Sequence, residues 1–235
     1  MTTLITGSSS GIGEALAVEC AKEGGATLFL CGRDAARLAG VAERCRTLGA
    51  SVHARVLDVT RREDVRAWLE ECETISPPER VFSNAGIGTG EETEENVRRS
   101  FAVNIGGNLN VVLPMIDLMR KRPQGMKHII ITSSIAGYAP LKACPAYSAE
   151  KACLKTWGLA LRGRLKKDGI KVSVVAPGFV RSRITDRNTC PMPFFMEADK
   201  AARIILRRVE RNVALIAFPW PMRFAVWLAS LLPRF

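Results

Sequence analysis

Thr2-Thr3-Leu4-Ile5-Thr6-Gly7-Ser8-Ser9-Ser10-Gly11-Ile12-Gly13-Glu14-Ala15-Leu16-Ala17-Val18-Glu19-Cys20 decides the fold. Thr2 to Thr6 reads as a short buried strand, the glycines as a tight turn, and Ile12 to Cys20 as a helix with apolar residues at helical spacing. Glycines keep side chains out of the way, so main-chain N–H groups and the helix dipole can receive an anion such as a dinucleotide pyrophosphate. That makes Gly7, Ser9, Ser10, Gly11, Ile12 and Gly13 the candidate phosphate cradle, in the strand-turn-helix context such a turn requires. The same residues satisfy the hydrolase elbow Gly-x-Ser-x-Gly. An elbow also needs an oxyanion donor from an earlier loop, and the residues before Gly7 are taken up by the strand.

Strand-like and helical runs alternate along all 235 residues, which reads as a single α/β domain over residues 1–218 followed by an apolar tail, 219–235. The net charge of +11 is spread along the chain rather than gathered into an arm, so an anionic cofactor or substrate accounts for it and nucleic acid is not expected. Seven scattered cysteines without Cys-x-x-Cys suggest neither zinc nor a disulfide framework; no metal is expected, and the compartment is read as reducing and cytoplasmic. Met1 leads straight into the first strand, so no signal or transit segment is expected. The tail is too short to span a bilayer. With Arg223 and Arg234 beside apolar residues, it suits a peripheral membrane surface as well as packing on the domain or on a second subunit.

Chemistry enters at Ala146-Tyr147-Ser148-Ala149-Glu150-Lys151. Positions i and i+4 share a helix face, so the Tyr147 phenol and the Lys151 ammonium can converge. A nearby cation draws a phenol from its ordinary pKa of about 10 toward the working range of an acid/base. Tyr138 and Lys142 have the same spacing, but Pro140 between them disfavours helix, whereas Pro145 suits a first helical turn. Upstream, the strand Lys127 to Thr132 delivers Ser133 and Ser134 to its carboxyl end, and alternation lets only one of them face Tyr147.

The second strand, Ala26 to Cys31, ends at Gly32-Arg33. An acidic residue there would bind ribose hydroxyls; arginine instead accommodates a 2′-phosphate, so NADP(H) is favoured over NAD(H). Asp34 reads as a helix N-cap. A third strand ends at Asp58 and a fourth, Arg80 to Ser83, at Asn84-Ala85-Gly86. The helix from about Glu91 to Arg120 carries Asn104 and two central glycines, Gly106 and Gly107, which imply a bend or close packing. His53 and His128, in strand-like apolar runs, read as structural rings.

Taken in order, Thr6-Gly7-x-x-x-Gly11-Ile12-Gly13, Asp58, Asn84-Ala85-Gly86, Asn104, Ser134, Tyr147-x-x-x-Lys151 and Pro177-Gly178 make the chain resemble the short-chain dehydrogenase/reductase superfamily over roughly Thr2 to Ser182. The resemblance implies a doubly wound parallel sheet, the Rossmann fold, and hydride transfer between nicotinamide and a carbonyl carbon. It also implies roles. Tyr147 exchanges the proton, Ser134 polarises the reacting oxygen, and Lys151 binds the nicotinamide ribose and lowers the Tyr147 pKa. Asn104 holds a relay water, Asp58 lies beside the adenine, and Pro177, Gly178, Val180 and Ser182 contact the nicotinamide end. Ser83 and Ser182 replace the family's usual asparagine and threonine, and Ser10 stands where many NADP-preferring members carry a basic residue. The expected assembly is a homodimer through the two long helices. Substrate recognition falls to residues 179–196, where Arg181, Arg183 and Arg187 suit an anionic group and Met192, Phe194, Phe195 and Met196 an apolar one. A catalytically silent nucleotide sensor on the same fold is the alternative, against which the intact Asn104, Ser134, Tyr147 and Lys151 set argues.

Overall fold

The computed structural model describes residues 1–187 and 191–231. Its strands are β1 (Thr2–Thr6), β2 (Thr27–Gly32), β3 (Ser51–Val56), β4 (Arg80–Ser83), β5 (His128–Thr132), β6 (Lys171–Pro177) and β7 (Leu215–Phe218). The helices are α1 (Gly11–Ala21), α2 (Ala35–Thr47), α3 (Arg62–Ile75), α4 (Glu94–Phe101), α5 (Gly107–Lys121), α6 (Pro145–Leu165), α7 (Ala198–Glu210) and α8 (Trp220–Leu231). The strands form one sheet in the order β3-β2-β1-β4-β5-β6-β7, every neighbouring pair parallel. This is the expected doubly wound α/β fold. The order reverses between β1 and β4, and a crevice opens at the carboxyl ends of strands at such a switch point.

Parallel strands covered on both faces read as continuous apolar runs, and β1, β4 and the first four residues of β5 are buried throughout. One face carries α1, α2 and α7 around Leu16, Leu28, Leu30 and Ile205; the other carries α3, α5 and α6 around Phe29, Trp68, Met115 and Leu154. Burying side chains of the size of Phe29 or Met115 contributes about 1.5–3 kcal/mol each. The helical run Glu94–Lys121 has the length and apolarity to cross a membrane. Here Val111, Val112, Met115 and Met119 on it are fully buried against the sheet.

Asp34 caps α2 as expected, accepting from the Arg37 amide at 3.0 Å. β7 starts at Leu215, just after Asn212, which takes a left-handed backbone (φ +52°) and is held by Arg162 at its side chain and carbonyl. The paired glycines mark a wide π-turn, Ala102–Gly106, between α4 and α5. A Cβ on Gly107 would lie 2.5 Å from Val59 Cγ2, so close packing explains that glycine. His53 stacks on Phe29 at 5.0 Å, and His128 is buried against the Ser173 hydroxyl at 2.9 Å.

Burial, together with Lys171, Arg162 and Arg80, pushes the His128 imidazole down to about 4. Its folded pKa is below its unfolded value, so the unfolded chain binds the extra proton. Unfolding free energy is therefore expected to fall by about 2–3 kcal/mol as pH drops from about 6.5 to 4. Urea titrations across that range test this: a His128→Gln variant should have a flatter pH dependence than wild type.

Candidate active site

Gly7 and Gly11 adopt left-handed backbone (φ +68° and +58°) to turn the chain from β1 into α1. A Cβ on Gly13 would stand 2.3 Å from the Gly7 carbonyl oxygen, so only glycine lets the helix lie this close to the strand end. Ser8 anchors the turn to β2 through its N–H and hydroxyl, both donating to the Cys31 carbonyl at 3.0 and 3.1 Å. Ser9 packs on Gly32, where a Cβ would meet its hydroxyl at 2.9 Å. Ser10 is the N-cap of α1, but its hydroxyl makes no capping bond. The first amides of α1, Ile12 among them, are thus left to an anion, and this geometry fits a dinucleotide pyrophosphate.

Asn84 closes the crevice from β4. Its Nδ2 donates to the Thr6 carbonyl at 3.1 Å, while the Asn84 and Ala85 amides donate to Thr6 Oγ1 at 3.0 and 3.1 Å. Thr132 donates to Asn84 Oδ1 at 3.2 Å, so one asparagine ties β1, β4 and β5 together at their carboxyl ends. A Cβ on Gly86 would come within 3.0 Å of Asn104 Oδ1 and 3.6 Å of Lys151 Nζ. At the tip of β2, Arg33 Nη1 stands 4.0 Å from Asp58 Oδ2. Burial raises the Asp58 pKa, but bonds from the Thr60 amide and hydroxyl and the charges of Arg33 and Arg61 outweigh it, and the net shift is downward.

β5 delivers Ser134 to the start of a short 3-10 turn, Ile135–Tyr138, where its Oγ accepts from the Ala136 amide at 3.1 Å. Ser133 points the other way and donates to the Lys151 carbonyl at 2.6 Å. Gly137 lets this turn lie on α6, since a Cβ there would meet the Lys151 carbonyl carbon at 2.5 Å. Pro145 starts α6 in its first turn, and Tyr147 and Lys151 share the face toward Ser134. Lys151 Nζ sits 5.4 Å from the Tyr147 ring centroid and donates to the Thr132 carbonyl at 3.3 Å.

The electrostatics correct one expectation. Burial raises the Tyr147 phenol to about 12 against the lowering effect of the nearby Ser134 hydroxyl, with Cys144 and Glu150 raising it further. Burial lowers Lys151 to about 8, partly opposed by Glu150. Desolvation is the largest influence on both groups, and the protein's own groups hold Tyr147 protonated.

Asn104 is fully buried in the π-turn. Its Oδ1 accepts from the Ile87 amide at 2.8 Å, and its Nδ2 donates to the Ile87 carbonyl at 2.9 Å and to Glu150 Oε2. Asn108 donates to the Asn104 carbonyl at 2.7 Å. The side chain is therefore a strut between the loop after β4 and α6. Sequence reasoning missed Glu150, although Tyr147, Glu150, Lys151 and Leu154 fall at i, i+3, i+4 and i+7 on one helical face. It missed Thr6 too, whose hydroxyl organises the Asn84 turn.

Pro177 ends β6, and Gly178 contacts the tail: a Cβ there would meet Pro219 Cδ at 3.0 Å and Met222 Sδ at 3.1 Å. Val180 is buried and bridges to Met196, while Ser182 stands over Gly11, whose Cβ would meet it at 3.0 Å. Of the substrate candidates, Arg181 is engaged by Glu197 at 2.7 and 3.0 Å and lies 5.2 Å over the Phe195 ring. Arg183 lines a cavity of about 390 Å³ with Ser10, Glu14 and Arg44, on the cofactor-turn side rather than at Tyr147. Phe194 and Phe195 are exposed, Met192 is half-buried, and Met196 packs on the core instead of lining a slot. Arg187 closes a short 3-10 turn, Thr185–Arg187, and its side chain, like Arg234, lies outside what the structure describes. Among the described residues no group of histidine, cysteine and carboxylate side chains could hold a metal.

A family model described as short chain dehydrogenase matches residues 1–191. An uncharacterized oxidoreductase of Myxococcus xanthus is 33% identical over 241 residues, covering 99% of this chain and 93% of that protein. Among solved structures, a short-chain dehydrogenase from Sphingobium yanoikuyae in complex with NADPH superposes with a TM-score of 0.84 at 27% identity, covering 99% of this chain and 96% of that one. The L-sorbose reductase from Gluconobacter frateurii, complexed with NADPH and L-sorbose, superposes at 0.82 with 25% identity, covering 94% and 96%. The chain belongs to the short-chain dehydrogenase family and is an oxidoreductase.

The Gly13 contact gives a direct test of the cradle. Gly13→Ala should destabilise the fold by about 1–3 kcal/mol, since the blocking atoms are main chain. It should also abolish nucleotide binding, as read by urea unfolding and by quenching of tryptophan fluorescence with NADPH.

Proposed function

From that membership we propose that the protein is an NADPH-dependent oxidoreductase interconverting a carbonyl and a secondary alcohol. The observation that carries this reading is Tyr147, half-buried and protonated beside Ser134 and Lys151 at the carboxyl end of β5. NADPH, when bound, supplies the hydride. The amides of Gly11, Ile12 and Gly13 would receive the pyrophosphate, Asp58 would stand beside the adenine, and Arg33 would pair with the 2′-phosphate. Pro177, Gly178, Val180 and Ser182 hold the nicotinamide end. Ser134 donates to the substrate oxygen and Tyr147, which carries its proton in the resting site, gives it that proton in the reductive direction. The Lys151 ammonium then resupplies a proton to Tyr147 and regains its own from water.

Assembly and location follow from the same surface. Phe101 and Leu113 are exposed on α4 and α5, and Cys153 on α6, a face suited to a second copy of the chain as a homodimer. Burial holds the free thiols of Cys20, Cys31, Cys45 and Cys72 above their ordinary range, in keeping with a cytoplasmic protein.

The outer face of α8 supports peripheral contact with an anionic lipid surface. Trp220, Phe224, Trp227 and Leu228 are large, exposed and within about 100° of arc on the helix, while Met222 faces Gly178. No carboxylate follows Glu210 in the sequence, and exposed Arg223 flanks the aromatic stripe, so the patch is complementary to anionic headgroups.

Two measurements test these readings. Wild type should oxidise NADPH with a panel of ketones and aldehydes, and Tyr147→Phe should lose at least about 10²-fold in kcat while still binding NADPH. Arg33→Ala should raise the KM for NADPH by about 10-fold or more and leave NADH use little changed. NADPH binding without turnover by wild type on any carbonyl would point to a silent sensor, and preference for NADH would overturn the Arg33 assignment. Phosphatidylcholine vesicles containing phosphatidylserine should co-sediment wild type several-fold better than a Phe224→Glu, Trp227→Glu variant. Equal sedimentation, or a shift from dimer to monomer in the variant, would assign the stripe elsewhere.

A further inference from the structure

Among the described residues Glu150 is the one buried carboxylate, and the mechanism above does not use it. It is 0% exposed, in the middle of the Tyr147-x-x-x-Lys151 segment. Its Oε1 accepts from Ser100 Oγ at 2.6 Å and its Oε2 from Asn104 Nδ2. Ser100 is held in turn by Thr89, whose hydroxyl donates to it at 3.3 Å. These partners are neutral, and among the described residues Glu150 makes no ion pair. A buried carboxylate with only neutral donors is disfavoured by several kcal/mol, and a glutamine of the same shape could accept from Asn104 without that penalty.

Resting on the reading of the site as a proton-transfer centre, we propose that Glu150 is a positioning residue. Its carboxylate braces Asn104 and the π-turn against α6, and its charge keeps the Lys151 ammonium protonated where burial would strip the proton. The groups that face it support this. From α6 come Tyr147 and Lys151, from α4 Ser100, from the π-turn Asn104, and from the loop after β4 Thr89; Lys151 is the only cation among them. The charge of Glu150 favours the protonated form of both Lys151 and Tyr147. Asn104 transmits the brace to Ile87, holding that residue's amide and carbonyl in the wall of the crevice.

The test compares wild type with Glu150→Gln and Glu150→Asp in the full-length protein. In NADPH-dependent reduction and the reverse oxidation, the inflections of the Glu150→Gln pH profile should move toward acid by about one unit. The loss in kcat should be larger at pH 9 than at pH 6, and Glu150→Asp should restore the profile in part. A residue that only filled space would change kcat without moving the inflections, so superimposable profile shapes overturn the charge role. Hydrogen exchange at the Ile87 amide reads the brace without turnover. It should quicken at least about tenfold in Glu150→Ala, or in Ser100→Ala if Glu150→Ala fails to fold, and unchanged exchange overturns the brace. If wild type turns over no carbonyl, the proposed activity fails, while the Ile87 exchange still decides whether Glu150 holds Asn104.

Discussion

The close approach of α1 to the end of β1 is the constraint on which the rest depends. Gly13 has room for no Cβ beside the Gly7 carbonyl, and Gly7 none beside Ala85 Cα at 2.8 Å. Those two contacts press the first helix, the first strand and the end of β4 into one wall. Asn84 and Thr6 then lock that wall with hydrogen bonds that also reach β5. A crevice formed this way has a rigid floor made of main chain, which suits a ligand bound by amides and a helix dipole rather than by long side chains.

Much of the fold was legible because its signals are local. β1 and β4 fell where the apolar runs put them, and Asp34, Pro145 and the glycine turn each act on the residues beside them. Tyr147, Lys151 and Ser134 converge because helix and strand periodicities fix which faces they share. What the sequence did not disclose depends on distance in space. The protonation of Tyr147 is set by how deeply α6 is buried, which spacing alone does not report, so the expected lowering by Lys151 gave way to desolvation. Arg181 carries a charge suited to an anionic substrate, yet Glu197, sixteen residues on, already occupies it. Glu150 passed unnoticed because an acidic residue on a helix is ordinarily solvated, and only its placement against α4 and the π-turn shows otherwise.

Polar groups at the heart of the site are braced in layers. Ser133 fixes the backbone of α6, Ser134 faces the phenol, Asn104 holds Ile87, and Ser100 with Glu150 holds Asn104. Each buried donor or acceptor finds a protein partner, which is what makes such a network rigid rather than costly. Among the described residues Tyr138 is the exception, its hydroxyl buried without a hydrogen-bond partner while Lys155 stands 4.1 Å over its ring.

The wide turn at Ala102–Gly106 carries a consequence for how this chain can tolerate change in length. A π-turn holds one residue more than the regular helix around it, so deleting a single residue there would leave a smoother, better-bonded helix. The wide turn already absorbs the extra residue, so the flanking helices would keep nearly their present phase, but Asn104, which sits inside the turn, would be re-aimed away from Ile87 and Glu150. Local regularity and a working site are in conflict at this point of the chain. Indels in this helix should therefore be rarer than its apolar composition alone would permit.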